Sequence, residues 1–158
     1  MQKFLKIIFS AAAMVVLVGT SVKADERYAP IQDKLTAKEC GACHMAFQPQ
    51  MLPKLSWQKV MKGLPSHFGE DASLDAKSAS HIESYLVANA ADSGWMGGKF
   101  MRGLSDQSAP MRITETPHWV RAHSEEVPQR AWSDPRVKTK ANCVACHRGA
   151  NRGDYGDD

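Results

Sequence analysis

The sequence predicts a mainly α-helical protein: a helical N-terminal unit followed by a smaller, irregular helical C-terminal unit. Three observations lead there. Trp57, Val60, Met61 and Leu64 recur at i, i+3, i+4 and i+7, the stripe of an amphipathic helix. No β-rich run precedes either of the chain's two cysteine pairs. Residues 93–108 are crowded with Gly, Ser and Asp, which divides the helical segments into two groups.

The elements follow in order. Residues 29–43 can form a helix that carries the first cysteine pair. The run Gln48-Pro49-Gln50-Met51-Leu52-Pro53 is a loop, and Ser56 is placed to cap the helix that ends before Pro65. Ser66-His67-Phe68-Gly69 forms the next loop. Ser73 then caps a longer helix, 73–90, with Leu74, Ile82, Tyr85, Leu86 and Asn89 on or near one face. Residues 111–117 are extended or begin a helix. Beyond Pro117 a short helix carries His118, Trp119, Val120 and His123.

Composition bounds the function. The chain has 158 residues, enough for one ordinary domain or two very small ones. Its 43% hydrophobic and 23% charged residues belong to a globular protein rather than a disordered one. The net charge of +3 comes from Lys3, Lys6 and Lys23 in an acid-free leader; beyond residue 24 the two signs balance. That excludes a strongly basic nucleic-acid binder and a polybasic membrane anchor.

Residues 1–24 are laid out as a secretory signal peptide. Lys3 and Lys6 precede an apolar stretch from Ile7 to Val18, broken only by Ser10, and Val22-Lys23-Ala24 supplies the small residues a signal peptidase requires. An uncleaved anchor is the competing assignment, but the stretch is shorter than the roughly 20 residues needed to cross a bilayer. Charged residues interrupt every later apolar run. The mature chain is expected to begin near Asp25 and to act outside the cytoplasm.

The chemistry lies in two copies of C-x-x-C-H: Cys40-Gly41-Ala42-Cys43-His44 and Cys143-Val144-Ala145-Cys146-His147. Two thiols three positions apart reach the two vinyl groups of one porphyrin and form thioethers. The adjacent histidine becomes the proximal ligand of the iron. A thioredoxin-type redox disulfide, a zinc site and two structural disulfides are the alternatives. None of them requires His directly after the second Cys in both copies. The expectation is two covalently bound haem c groups.

Elimination narrows the sixth ligands. Between Asp25 and Cys40, and after His147, there is no His or Met. Any distal protein ligand therefore comes from residues 45–142. For the first haem, His67 leads, because a loop can turn its side chain toward an iron. His81, inside a helix, is the alternative, and Met61 is explained by the helix core. For the second haem, His123 leads; His118, Met96, Met101 and Met111 are the alternatives. His118 and His123 are five positions apart and point in different directions. Methionine in place of histidine would raise the reduction potential.

At these residues the chain resembles the bacterial dihaem cytochrome c family. The matching runs are Cys40–His44 with Met45-Ala46-Phe47-Gln48-Pro49, Leu52-Pro53, Ser56-Trp57, and His67-Phe68-Gly69-Glu70-Asp71-Ala72-Ser73-Leu74. Ile82-Glu83-Ser84-Tyr85-Leu86, Arg112-Ile113-Thr114, His123 and Ala141-Asn142 through His147 complete the match. The resemblance implies a class I cytochrome c-like domain at 25–95 and a small irregular haem domain at 96–158. In the first, the C-x-x-C-H helix crosses the helix at 73–90 and His67 stands where Met is usual. It also implies that His67 and His123 are the distal ligands, each iron being held by two His.

The functional expectation is electron transfer rather than catalysis. With two protein ligands on each iron no site is open for a small-molecule substrate, and bis-His ligation favours the ferric state, so low potentials follow. The competing expectations are a gas-binding or enzymatic protein with one five-coordinate iron, and an electron-entry subunit of a larger reductase. The resemblance implies a periplasmic location and redox partners such as a membrane b-type cytochrome and a small monohaem cytochrome c. A monomer that binds no nucleic acid is expected. Haem propionates would make the loaded protein acidic, with Arg148 and Arg152 placed to meet them or the solvent. Trp57, Phe68, Ile82 and Trp119 are expected to pack on porphyrin.

Overall fold

A computed structural model describes residues 26–94 and 97–156. The signal segment 1–24 and the candidate Met96 lie outside the described residues. Among those residues the regular structure is four α-helices joined by 3-10 turns, and the only β pairing is two isolated bridges, Arg27 with Asp154 and His67 with Glu70. The mainly α expectation is met. No helix among the described residues is long and apolar enough to cross a membrane.

Helix α1 (Lys34–Cys40) is shorter than the expected 29–43. Pro30 lies upstream, and Asp33 caps the helix by accepting from the Thr36 N–H at 2.7 Å. The same Asp33 carboxylate meets His81 Nε2 at 2.8 Å, tying the start of α1 to the flank of α3. Cys40 is the last helical residue, so the helix delivers the first thiol, and the turn at Gly41 carries Cys43 and His44 beyond it.

Helix α2 (Lys54–Lys62) begins a step earlier than Ser56 suggested. Pro53 takes the cap position with extended backbone, and its carbonyl accepts from the Ser56 and Trp57 amides at 3.0 and 3.2 Å. The Lys54 amide, which no intrahelical carbonyl can reach, donates to Asp92 Oδ1 at 2.8 Å. Ser56 is consequently interior and fully buried. Helix α3 (Ala76–Ala88) is capped by Asp75, which accepts from Lys77 and Ser78, and not by Ser73, whose own amide donates to Asp71. In both cases the helix starts away from the serine: at α2 Pro53 holds the cap position without a side-chain bond, and at α3 the Asp75 carboxylate makes the cap.

Helix α3 packs Ile82 and Leu86, at i and i+4, with Ala90 just past its end, against Trp57, Val60 and Met61 of α2. Ile82 has no exposed surface and Leu86 only 2%. Trp57 donates its indole N–H to Pro49 O at 2.8 Å, so the ring is fixed as well as buried. Helix α4 (Pro117–Glu126) opens with Thr116 as cap and Pro117 at its first position. It leans on the 3-10 turns Lys99–Met101 and Ile113–Glu115, adding Phe100, Ile113 and Trp119 to the same core.

The remaining 127–156 stretch has only 3-10 turns, and it is held by the start of the described chain. Tyr28 N–H donates to Gly153 O and Tyr155 N–H to Glu26 O, both at 2.8 Å, and Arg27 pairs with Asp154 at 3.5 Å. Gly153 sits at φ +82°, and a Cβ there would lie 2.1 Å from Tyr28 O, so only glycine permits this approach. Gln48 completes the fastening. It is fully buried, donates to Ala150 O at 2.9 Å and accepts from the Tyr155 hydroxyl at 2.6 Å.

Candidate functional site

The fold brings the six histidines to three kinds of place. His44 and His67 face one another with ring centroids 6.2 Å apart and planes 25° from parallel. His123 and His147 face one another at 6.3 Å with planes at 84°. His81 and His118 are occupied elsewhere: His81 is a half-exposed partner of Asp33, and His118 is buried edge-on to Phe100, 3.2 Å from Glu26.

The two separations are too wide for ring contact and nearly identical. Iron held between two imidazoles requires a metal–nitrogen bond of about 2 Å on each side, with each ring centre about 1.1 Å further out, hence centroids roughly 6 Å apart. Both separations match that spacing. Among the described residues, Met51 and Met61 are buried in the core, and Met101 and Met111 pack against it.

The local hydrogen bonds leave Nε2 available. His44 Nδ1 meets Met45 O at 2.7 Å, and His123 Nδ1 meets Trp119 O at 2.9 Å. A histidine that gives its Nδ1 proton to a carbonyl presents the other nitrogen as a base. Burial pushes the pKa values of His67 and His123 down, with the charge of His44 acting further on His67, so both favour the neutral, ligating form. Burial pushes the Cys40 and Cys143 thiols up to about 11. They are thus protonated at neutral pH, and no group of three or more His, Cys, Asp or Glu among the described residues is gathered to hold a metal in the manner of a zinc site. An S–H group can add across a vinyl double bond, sulfur to one carbon and hydrogen to the other.

Each cysteine pair opens on a cleft. The first, about 720 Å³, is lined by Cys43, His44 and Met45 together with Val144, Asn151 and Arg152. Residues of both motifs therefore line the same space, and Arg152 lies at the first motif rather than its own. The second, about 470 Å³, is lined by Cys143, Cys146 and His147, with Trp119, Trp132 and His123. Glu26, Tyr155 and Lys140 also line this second cleft, and Glu26 reaches it from the opposite end of the described chain, so no local signal in the sequence marks it.

Glu26 deserves its own measurement. His118 and then Lys99, at 3.2 and 3.1 Å, hold its carboxyl down at about 2 although burial opposes them. A depressed folded pKa contributes stability that is present above the ordinary carboxylate value and disappears as pH falls through the folded one. Thermal melting should therefore decline from about pH 5 toward pH 2, and Glu26→Gln should flatten part of that decline. An unchanged acid limb in the variant would remove Glu26 from the account.

Two C-x-x-C-H turns, each beside a histidine pair spaced for one iron, define a c-type cytochrome. The dihaem cytochrome c family model matches residues 36–155. The solved dihaem cytochrome c of Rhodobacter sphaeroides is 49% identical, with a TM-score of 0.76 over 80% of this chain and 99% of its own. The dihaem cytochrome c of Shewanella baltica OS155 is 34% identical, with a TM-score of 0.63 over 78% of this chain and 86% of its own. The chain belongs to the dihaem cytochrome c family, and its cofactors are two covalently bound haem c groups. No curated protein matches it.

Proposed function

We propose that this protein carries single electrons in the periplasm between redox partners, through two low-spin haems whose axial ligands are His44 with His67 and His147 with His123. When bound, the haem irons supply one-electron chemistry, ferric to ferrous and back. The chain's own residues do the rest. Cys40, Cys43, Cys143 and Cys146 anchor the porphyrins, and two histidines close the two faces of each iron, which leaves no coordination position for substrate or solvent. The observation that carries the reading is the near-equal separation of the two imidazole pairs, 6.2 and 6.3 Å.

The leader at 1–24 supports export, and the division into haem units at 25–95 and 96–158 follows from one motif falling in each part. A membrane b-type cytochrome and a small monohaem cytochrome c are the proposed partners. Redox encounters of this kind are small and transient.

Separate His67→Ala and His123→Ala variants test the ligands. Each should convert one of the two irons to a high-spin form that binds carbon monoxide, while the unsubstituted protein ignores it. An iron that stays low-spin in both variants, or carbon monoxide binding by the unsubstituted protein, contradicts the assignment.

A further inference from the structure

We infer that the two haems are electronically unequal, that the one held by Cys143, Cys146 and His147 has the higher reduction potential, and that Trp119 is the positioning residue responsible for its crossed axial ligands. The inference rests on the bis-histidine reading above and asks what the chain's own side chains impose on each iron.

One feature separates the pairs as wholes and a second separates their proximal histidines. The first is the angle between ring planes. His44 and His67 lie 25° from parallel, whereas His123 and His147 lie at 84°. An imidazole donates π density into the iron d orbital perpendicular to its ring. Near-parallel rings both donate into the same orbital, separate it from its neighbour and stabilise the ferric hole. Crossed rings donate into two different orbitals, leave them close in energy and stabilise the ferric state less.

The second feature is the outer hydrogen bond of the proximal histidine. His44 Nδ1 has a carbonyl acceptor in Met45 at 2.7 Å. His147 Nδ1 is buried with no hydrogen-bond partner among the described residues. An N–H donated to a carbonyl makes the ring a stronger donor and favours the ferric state. His147 lacks that assistance while its partner His123 has it from Trp119 O at 2.9 Å, so each pair contains one such histidine and the ring angle carries the difference between the haems.

Trp119 fixes the crossing. Its indole stacks on the His123 ring at 4.0 Å and 15°, while its carbonyl takes the His123 Nδ1 proton at 2.9 Å. Trp119 is itself 8% exposed, with its amide on Thr116 Oγ1 at 3.3 Å and Trp132 packed at 5.8 Å. His123 cannot rotate about its axis toward the His147 plane without leaving that stack.

Electron paramagnetic resonance of the frozen, oxidised holo-protein tests this. Two low-spin ferric signals of equal spin are expected, one with three resolved g values and one dominated by a single large low-field feature. In a potentiometric titration the large-g signal should vanish first as the potential is lowered. His67→Ala should convert only the three-g signal to high-spin, which assigns it to the first haem. Trp119→Leu should abolish the large-g feature with both haems still attached, and Trp119→Phe should retain it. Two signals of the same type, or earlier loss of the three-g signal, overturns the inference while leaving bis-histidine ligation intact. A high-spin signal in the unsubstituted protein overturns the ligation itself. If Trp119→Leu does not fold, the titration of the unsubstituted protein still decides the order of potentials, and a three-g signal alone in Trp119→Phe would overturn the role of the stacked ring.

Discussion

Changing Cys143 and Cys146 together to serine should remove one haem from the intact mass, halve the haem absorbance and loosen the C-terminal half, while the first haem remains attached. The reason is the distribution of regular structure. Beyond residue 97 there is one α-helix of 10 residues, and everything after Glu126 is 3-10 turn or irregular. Short turns bury little apolar surface of their own, and segments near the lower size limit for folding need an added core. The cleft of about 470 Å³ between Trp119, Trp132, Val137 and Tyr155 is where that core belongs. The first haem's thiols leave helix α1, which α3 supports independently. Limited proteolysis should therefore cut the variant between 127 and 156 first. A variant that lacks the second haem but resists protease there would show that the turns hold themselves.

Ile82→Ala should cost about 3 kcal/mol, the usual range for truncating a fully enclosed aliphatic side chain. Ile82 has no exposed surface and stands at the centre of the contact between α3 and α2. Removing three carbons leaves a void that neither helix can close, because Trp57 is fixed by its bond to Pro49 O and Leu86 is itself 2% exposed. The denaturation midpoint should fall sharply, with the spectra of both haems unchanged, since Ile82 lines neither cleft. A midpoint equal to that of the unsubstituted protein would mean that the helix pair contributes nothing beyond what haem attachment supplies.

Ile82 and Trp57 are enclosed by the packing of α2 against α3, and Phe68 is 47% exposed with the Arg112 guanidinium 3.9 Å above its ring. Amphipathic spacing tells which face is apolar but not what covers it. The helices themselves were legible where the signal was local: the α2 stripe, and Pro117 opening α4. Their caps were less so, because Asp92 reaches the start of α2 from 38 residues away and no window of sequence contains both. Gln48 shows the same limit, a polar residue in an apparent loop that is fully buried on partners 102 and 107 positions distant. The cysteine motifs were plain because five consecutive residues contain the whole device. Which histidines face each other across an iron is a property of the folded chain.

The fastening of Glu26, Arg27 and Tyr28 onto Gly153, Asp154 and Tyr155 puts both ends of the described chain on one corner, and Glu26, Tyr28, Tyr155 and Gly156 line the second cleft. A handle joined directly at Glu26 or at Gly156, whether an affinity tag or an electrode tether, would hang beside the same prosthetic group. Tension or crowding there would reach His147 through Tyr155, whose ring lies 5.6 Å from it, before the other half of the molecule is disturbed.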